Sequence, residues 1–121
     1  MREAIVGAAV RGPYSPAVIG EGRFVFVSGQ GPLANGEYVP GSIEAETRLT
    51  LKNIGALLAQ AGSGFEHVVR CGVWIVSLDD FAAMNGVYES FFPDPRPARA
   101  TVRADLMVGK IEIDCIAIVP D

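Results

Sequence analysis

The run from His67 to Leu78 constrains the fold most. Its apolar residues Val68, Val69, Val73, Trp74, Ile75 and Val76 fall on both parities. A strand that is apolar on both sides needs cover on both sides, so this chain requires a sheet packed on one face and covered on the other. Two segments supply helices for the first face. Between Ser42 and about Ala61, Leu51, Ile54, Leu57, Leu58 and Ala61 share one helical face, with Ser42 as N-cap and Gly62 as the stop. After a cap at Asp79 or Asp80, Phe81, Met84, Val87, Tyr88 and Phe91 repeat at helical spacing until Pro93, Pro95 and Pro97 end the helix. Trp74 and these aromatics read as core.

The remaining apolar segments read as strands. Glu3 to Val10 is the first, interrupted by turn chemistry from Arg11 to Pro16. Arg23 to Ser28 is rich in aromatic and β-branched residues. About Ala98 to Leu106 and about Lys110 to Val119 close the chain, with Gly109 marking a tight turn. The expected order is β-β-α-β-α-β-β, an α/β (α+β) fold in one domain spanning 1–121. Both helices lie on one face of the sheet, which leaves a neighbouring subunit as the simplest cover for the other.

The charge balance narrows the function. Net charge is −4, which disfavours general nucleic-acid binding. Cys71 and Cys115 lie in apolar stretches and are expected as buried free thiols of a reducing compartment. No signal segment opens the sequence, and no apolar run approaches the ~20 residues of a membrane span. A cytoplasmic setting without a membrane partner is expected. His67 is the only histidine and is expected at the surface beside Glu66. No His/Cys cluster has metal-ligand spacing, and Gly29-Gln30-Gly31 is too short for a phosphate loop.

The last two strands place charge within an apolar sheet. Arg99, Thr101, Arg103 and Asp105 alternate with Ala98, Ala100, Val102 and Ala104, and Glu112 and Asp114 alternate with Ile111, Ile113 and Cys115. Two readings are open. A turn at Val108-Gly109 sets Arg103 across from Asp114, where they satisfy each other. Alternatively, Arg99 offers a planar fork to a substrate carboxylate, and a nearby Asp positions water. In that register Arg99 lies four residues beyond the partner of Asp114, roughly 13 Å along a strand. The two then meet only across a subunit boundary or in a shifted register.

Gly12-Pro13-Tyr14-Ser15, Val27-Ser28-Gly29-Gln30, Asn53-Ile54 with Ala61-Gly62, Asp80 to Tyr88 followed by Phe91-Phe92, Pro97-Ala98-Arg99-Ala100-Thr101-Val102 and Ile111 to Ala117 occur in order. Together they resemble the motifs of the reactive-intermediate deaminase (RidA, YjgF) family over nearly the whole chain. The resemblance implies a chorismate-mutase-like fold and a homotrimer with clefts between subunits. It implies hydrolysis of enamines and imines, such as 2-aminoacrylate, to 2-oxo acids and ammonia without metal or cofactor. By the same resemblance Arg99 holds the substrate carboxylate, Asp114 handles the water, and Tyr14 lines the pocket and assists proton traffic. Ser28, Gly29 and Thr101 complete the polar contacts, and Asn85 lies close to the cleft. The chain departs from the family pattern at Asp114, commonly Glu, at Thr101, frequently Cys, and at Leu106-Met107, commonly Leu-Pro. Three other readings stand beside this one. They are a non-catalytic binder of 2-oxo acids, a specialised catabolic deaminase of a 2-aminomuconate-like enamine, and an RNA-cleaving protein. The acidic charge and the lone His67 argue against the last.

Overall fold

The computed structural model describes all residues from Met1 to Asp121. In chain order the elements are β1 (Arg2–Ile5), β2 (Ala17–Gly20), β3 (Arg23–Gln30), β4 (Leu33–Ala34), β5 (Glu37–Tyr38), α1 (Ile43–Gln60), β6 (Val68–Ile75), α2 (Phe81–Phe91), β7 (Ala98–Arg103) and β8 (Ile111–Val119). The mixed α+β fold follows the expected order with short additions. The first strand stops at Ile5 and pairs with β2 in a separate ribbon, and β4 and β5 form a small hairpin before α1. The ribbon is fastened by Arg2, whose Nε donates to Val68 O at 2.7 Å, and by Ser15, whose backbone N–H donates to Pro97 O at 3.0 Å.

The strand that is apolar on both parities, β6, lies inside a four-stranded sheet of order β3-β8-β6-β7. Its helix-facing side chains Cys71, Val73 and Ile75 are buried, whereas Val69 and Trp74 on the other face are only half-buried. Cys71, Val73 and Ile75 pack with Ile111, Ile113 and Cys115 against the helices. From α1 come Leu51, Ile54 and Leu58, and from α2 Met84 and Tyr88, all fully buried. Each large apolar side chain buried this way contributes roughly 1.5–3 kcal/mol. Ser42 caps α1 by accepting the Ala45 N–H at 3.1 Å. Asp80 does not cap α2: its backbone is already helical and its side chain accepts nothing there. Ser77 instead accepts the Asp79 N–H at 3.2 Å in the turn before it.

The expected hairpin between the last two strands does not form. β6 lies between them, pairing parallel with β7 and antiparallel with β8. The reason is topological: β7 follows β6 through α2, and a strand-helix-strand crossover returns parallel to the first strand. Arg103 therefore stands opposite Ile75, and Asp114 opposite Gly72. The Arg103–Asp114 pair does not exist. Gly109 does adopt φ +73°, a left-handed conformation, but its close neighbours are Pro32 and Glu46.

Glu46 was not anticipated. It lies in the first turns of α1 and is 1% exposed. Its carboxylate accepts the Lys110 N–H at 2.8 Å, the Tyr38 hydroxyl at 2.7 Å and the Gly41 N–H at 3.1 Å. Burial alone raises its pKa. These donors, with the Lys110 ammonium, outweigh burial and hold it below the usual glutamate value. Glu46 thus ties β5, the segment after it and the entry to β8 onto α1.

The sheet face away from the helices is partly bare. Phe26 is 72% exposed, and Phe24 and Val102 are also exposed. Trp74 is half-buried on this face over Gly72 rather than in the core. Val18, Gly20, Phe24, Phe26, Val69 and Ile116 line an apolar groove of about 330 Å³ there.

Candidate functional site

Strand register decides which site residues can meet. Arg99, Cys71, Cys115 and Val27 form one row across β7, β6, β8 and β3. Registered neighbours in a sheet share a face, and Cys71, Cys115 and Val27 belong to the core. Arg99 therefore points to the helix face. The next row is Ala100, Gly72 and Asp114, and successive residues of a strand point to opposite faces. Asp114 therefore leaves from the bare face, about 10 Å away across two strand spacings. Within one chain the two do not meet.

Arg99 sits in an aromatic box. Its Cζ is 4.8 Å from the Tyr88 ring centre, 4.9 Å from Tyr14 and 5.8 Å from Phe81. A guanidinium against several ring faces gains cation–π energy but no hydrogen bond. Burial pulls the Arg99 pKa below the ordinary arginine value, while Tyr88, Tyr14 and Cys71 oppose it; a guanidinium stays charged at neutral pH regardless. Nine buried side-chain nitrogen or oxygen atoms in the molecule have no hydrogen-bond partner, and five of them are Arg99 Nε, Nη1 and Nη2, Thr101 Oγ1 and Asn85 Oδ1. No acidic residue forms an ion pair with Arg99. A buried charge without an internal partner is costly, so this cluster is where an external anion gains most.

A cavity of about 160 Å³ opens beside it, lined by Arg11, Tyr14, Phe81, Arg99 and Thr101. The segment around Gly12 lies across the fork. A Cβ on Gly12 would come within 3.1 Å of Arg99 Nη2 and 3.4 Å of Asn85 Nδ2, so a side chain there would press on the guanidinium. The Tyr14 hydroxyl accepts the Arg11 N–H at 3.2 Å.

Ser28, Gly29 and Asp114 form a second group on the opposite side. The ladder between β3 and β8 is irregular from Val27 to Gln30, which places Ser28 and Gly29 at a bulge beside Asp114. Asp114 Oδ1 accepts the Gly72 N–H at 2.9 Å. A Cβ on Gly72 would lie 2.6 Å from that oxygen, and one on Gly29 would lie 2.2 Å from Glu112 Oε2. Both glycines therefore leave room for a carboxylate. Six of the seven expected side chains and backbones thus divide three and three, Arg99, Thr101 and Asn85 against Asp114, Ser28 and Gly29, with Tyr14 joining the first.

The reading from sequence missed Arg11 and Phe81 as lining residues and Tyr88 as a ring stacked on Arg99. Phe81 and Tyr88 carry the period of a core helix face, and no local signal separates a core ring from one stacked on a guanidinium. Arg11 was legible as a cation next to Gly12-Pro13-Tyr14. Both thiols are free. Burial, reinforced by Asp114, pushes Cys115 up to about 12, and burial raises Cys71 further. His67 lies at the surface, 3.4 Å from Glu66. No group of three or more His, Cys, Asp or Glu is placed to hold a metal ion, and no helix is long and apolar enough to cross a membrane.

Residues 4–119 match the family model described as endoribonuclease L-PSP. The mitochondrial protein mmf2 of Schizosaccharomyces pombe is 47% identical over 111 residues, covering 88% of this chain and 87% of the relative. The 2-iminobutanoate/2-iminopropanoate deaminase of Capra hircus is 39% identical over 114 residues, covering 91% and 82%. Among solved structures, RidA from the Antarctic bacterium Psychrobacter superposes with a TM-score of 0.74 at 33% identity, covering 91% of both chains. The Rid-family protein YyfB from Yersinia pestis reaches 0.83 at 31% identity, covering 97% of this chain and 98% of its own.

Proposed function

The chain belongs to the endoribonuclease L-PSP family of YjgF/RidA proteins, and from that premise we propose that it hydrolyses reactive enamine and imine intermediates to 2-oxo acids and ammonia. The observation that carries the reading is Arg99, half-buried and charged, its guanidinium nitrogens buried without an internal hydrogen-bond partner. A 2-imino acid presents a planar carboxylate that takes two hydrogen bonds from such a fork. Thr101 Oγ1 and Asn85 Oδ1 offer further polar contacts beside it.

In the proposed reaction an enamine first tautomerises to its imine by protonation at carbon. Arg99 holds the carboxylate. Water adds to the imine carbon, a proton passes to nitrogen, and the carbinolamine collapses to release ammonia and leave the 2-oxo acid. Asp114 positions the water, and Tyr14 assists proton traffic. Because Arg99 and Asp114 leave opposite faces of one sheet, this chemistry needs Asp114, with Ser28 and Gly29, from a second copy. A homotrimer with its site between subunits meets that need, and the exposed Phe24 and Phe26 supply an apolar surface for it. The two free, buried thiols fit a reducing compartment, whether cytoplasmic or, as the name of mmf2 indicates for that relative, mitochondrial.

The test is 2-oxo acid release from enzymatically generated 2-aminoacrylate. The wild-type protein accelerates it, and Arg99→Ala lowers the acceleration by about 100-fold or more. Binding of 2-oxobutyrate without any acceleration by the wild type overturns the deaminase reading in favour of a binding protein.

A further inference from the structure

The cavity beside Arg99 is lined by two arginines and no acidic residue. Its five lining residues are Arg11, Tyr14, Phe81, Arg99 and Thr101. Arg11 forms no ion pair with any acidic residue of the chain. Its backbone is nevertheless fixed, because its N–H donates to the hydroxyl of Tyr14 at 3.2 Å, and the ring of that same tyrosine covers Arg99 at 4.9 Å. Tyr14 therefore connects the two arginines, its ring face against the Arg99 guanidinium and its hydroxyl on the Arg11 backbone. Arg99 is the buried fork, its nitrogens unpartnered, and Arg11 is the exposed arginine of the cavity lining.

A monocarboxylate neutralises only one of these charges. It satisfies Arg99 and leaves Arg11 next to a substrate side chain that offers it nothing. A ligand with a second carboxylate on its side chain satisfies both, in an arrangement where each charge-assisted contact is stronger than a neutral one. We infer that this site selects dianionic substrates, namely the imines and enamines of amino dicarboxylic acids, with Arg99 on the carboxylate next to the imine carbon and Arg11 on the distal carboxylate. The products are 2-oxo dicarboxylic acids and ammonia, and the reaction that supplies the substrate is one that oxidises or eliminates from an amino dicarboxylic acid to give a free imine. The inference rests on the deaminase reading for its chemistry; the binding preference follows from the two arginines alone. Arg11 acts here as a specificity residue and touches no reacting atom.

The experiment is calorimetry on the full-length protein with 2-oxoglutarate and 2-oxobutyrate, alongside hydrolysis of the imines that an amino-acid oxidase releases from glutamate and from 2-aminobutyrate. The wild type is expected to bind 2-oxoglutarate at least tenfold more tightly than 2-oxobutyrate. Arg11→Gln collapses that ratio about tenfold, Arg11→Lys retains most of it, and raised salt diminishes it because Arg11 is exposed. Equal affinities in the wild type, or a ratio that Arg11→Gln does not change, overturn the inference and leave the deaminase reading standing. An Arg11-dependent preference in binding without hydrolysis of either imine supports the two-arginine site and overturns the deaminase reading instead.

Discussion

At the scale of single residues, the proposed chemistry turns on where two charged groups point. Arg99 alternates with alanines on β7, and that alternation marked it in the sequence as a polar residue on one strand face. The sequence could not say which face. The expected hairpin set Arg103 against Asp114, whereas the register puts Cys71 opposite Arg99 and Gly72 opposite Asp114. Gly72 has no side chain, its N–H binds Asp114 Oδ1, and so the carboxylate is held by β6 rather than by an arginine. In the proposed mechanism Asp114 serves the water and not the carboxylate. Asp114→Asn is therefore expected to lower kcat by about 100-fold while calorimetry finds the Kd for 2-oxobutyrate changed by less than threefold. Asp114→Glu restores the longer reach common in the family, and its kcat equals or exceeds that of the wild type. A large loss of binding in Asp114→Asn contradicts the division of roles.

At the scale of elements, the helices were legible because a 3.6-residue period repeats over several turns. Leu51, Ile54 and Leu58, and Met84 and Tyr88, were read as buried faces and are buried. The strand pairing was legible only in part. Alternation reports that Ile111, Ile113 and Cys115 share a face, but it carries no information on which strand lies alongside. The separation of β7 from β8 by β6 depends on the α2 crossover, a non-local fact. Glu46 was illegible for a similar reason, since its partners Tyr38, Gly41 and Lys110 lie in other segments. Its contribution is measurable through pH. The folded-state pKa is below the unfolded value, so the stabilisation is fully present above the unfolded glutamate pKa and is lost as pH falls through the folded one. Glu46→Gln is expected to cost about 1–3 kcal/mol at pH 7, read by urea unfolding. The gap from wild type narrows below about pH 4. A gap that stays constant from pH 7 to pH 3 contradicts the assignment of a buried carboxylate.

At the scale of the molecule, one chain carries two groups of candidate site residues on opposite faces of its sheet and an apolar groove beside one of them. The run that is apolar on both parities already required cover on both sides, and the helices provide only one. The proposed homotrimer accounts for both, since closed symmetry brings one subunit's surface against a different surface of the next. Phe26, the most exposed ring on that face, is the place to break the assembly. Phe26→Lys is expected to shift the light-scattering mass from trimer towards monomer and to abolish turnover together with it. A wild-type protein that is monomeric at working concentration removes the shared site. The most direct measurement is complementation between two inactive variants, Arg99→Ala and Asp114→Asn, refolded together in equal amounts. If each site takes Arg99 from one subunit and Asp114 from its neighbour, every mixed trimer regains one intact site, and the mixture recovers about a quarter of wild-type activity. Activity no greater than that of the separate variants would mean that Arg99 and Asp114 do not form one site across subunits.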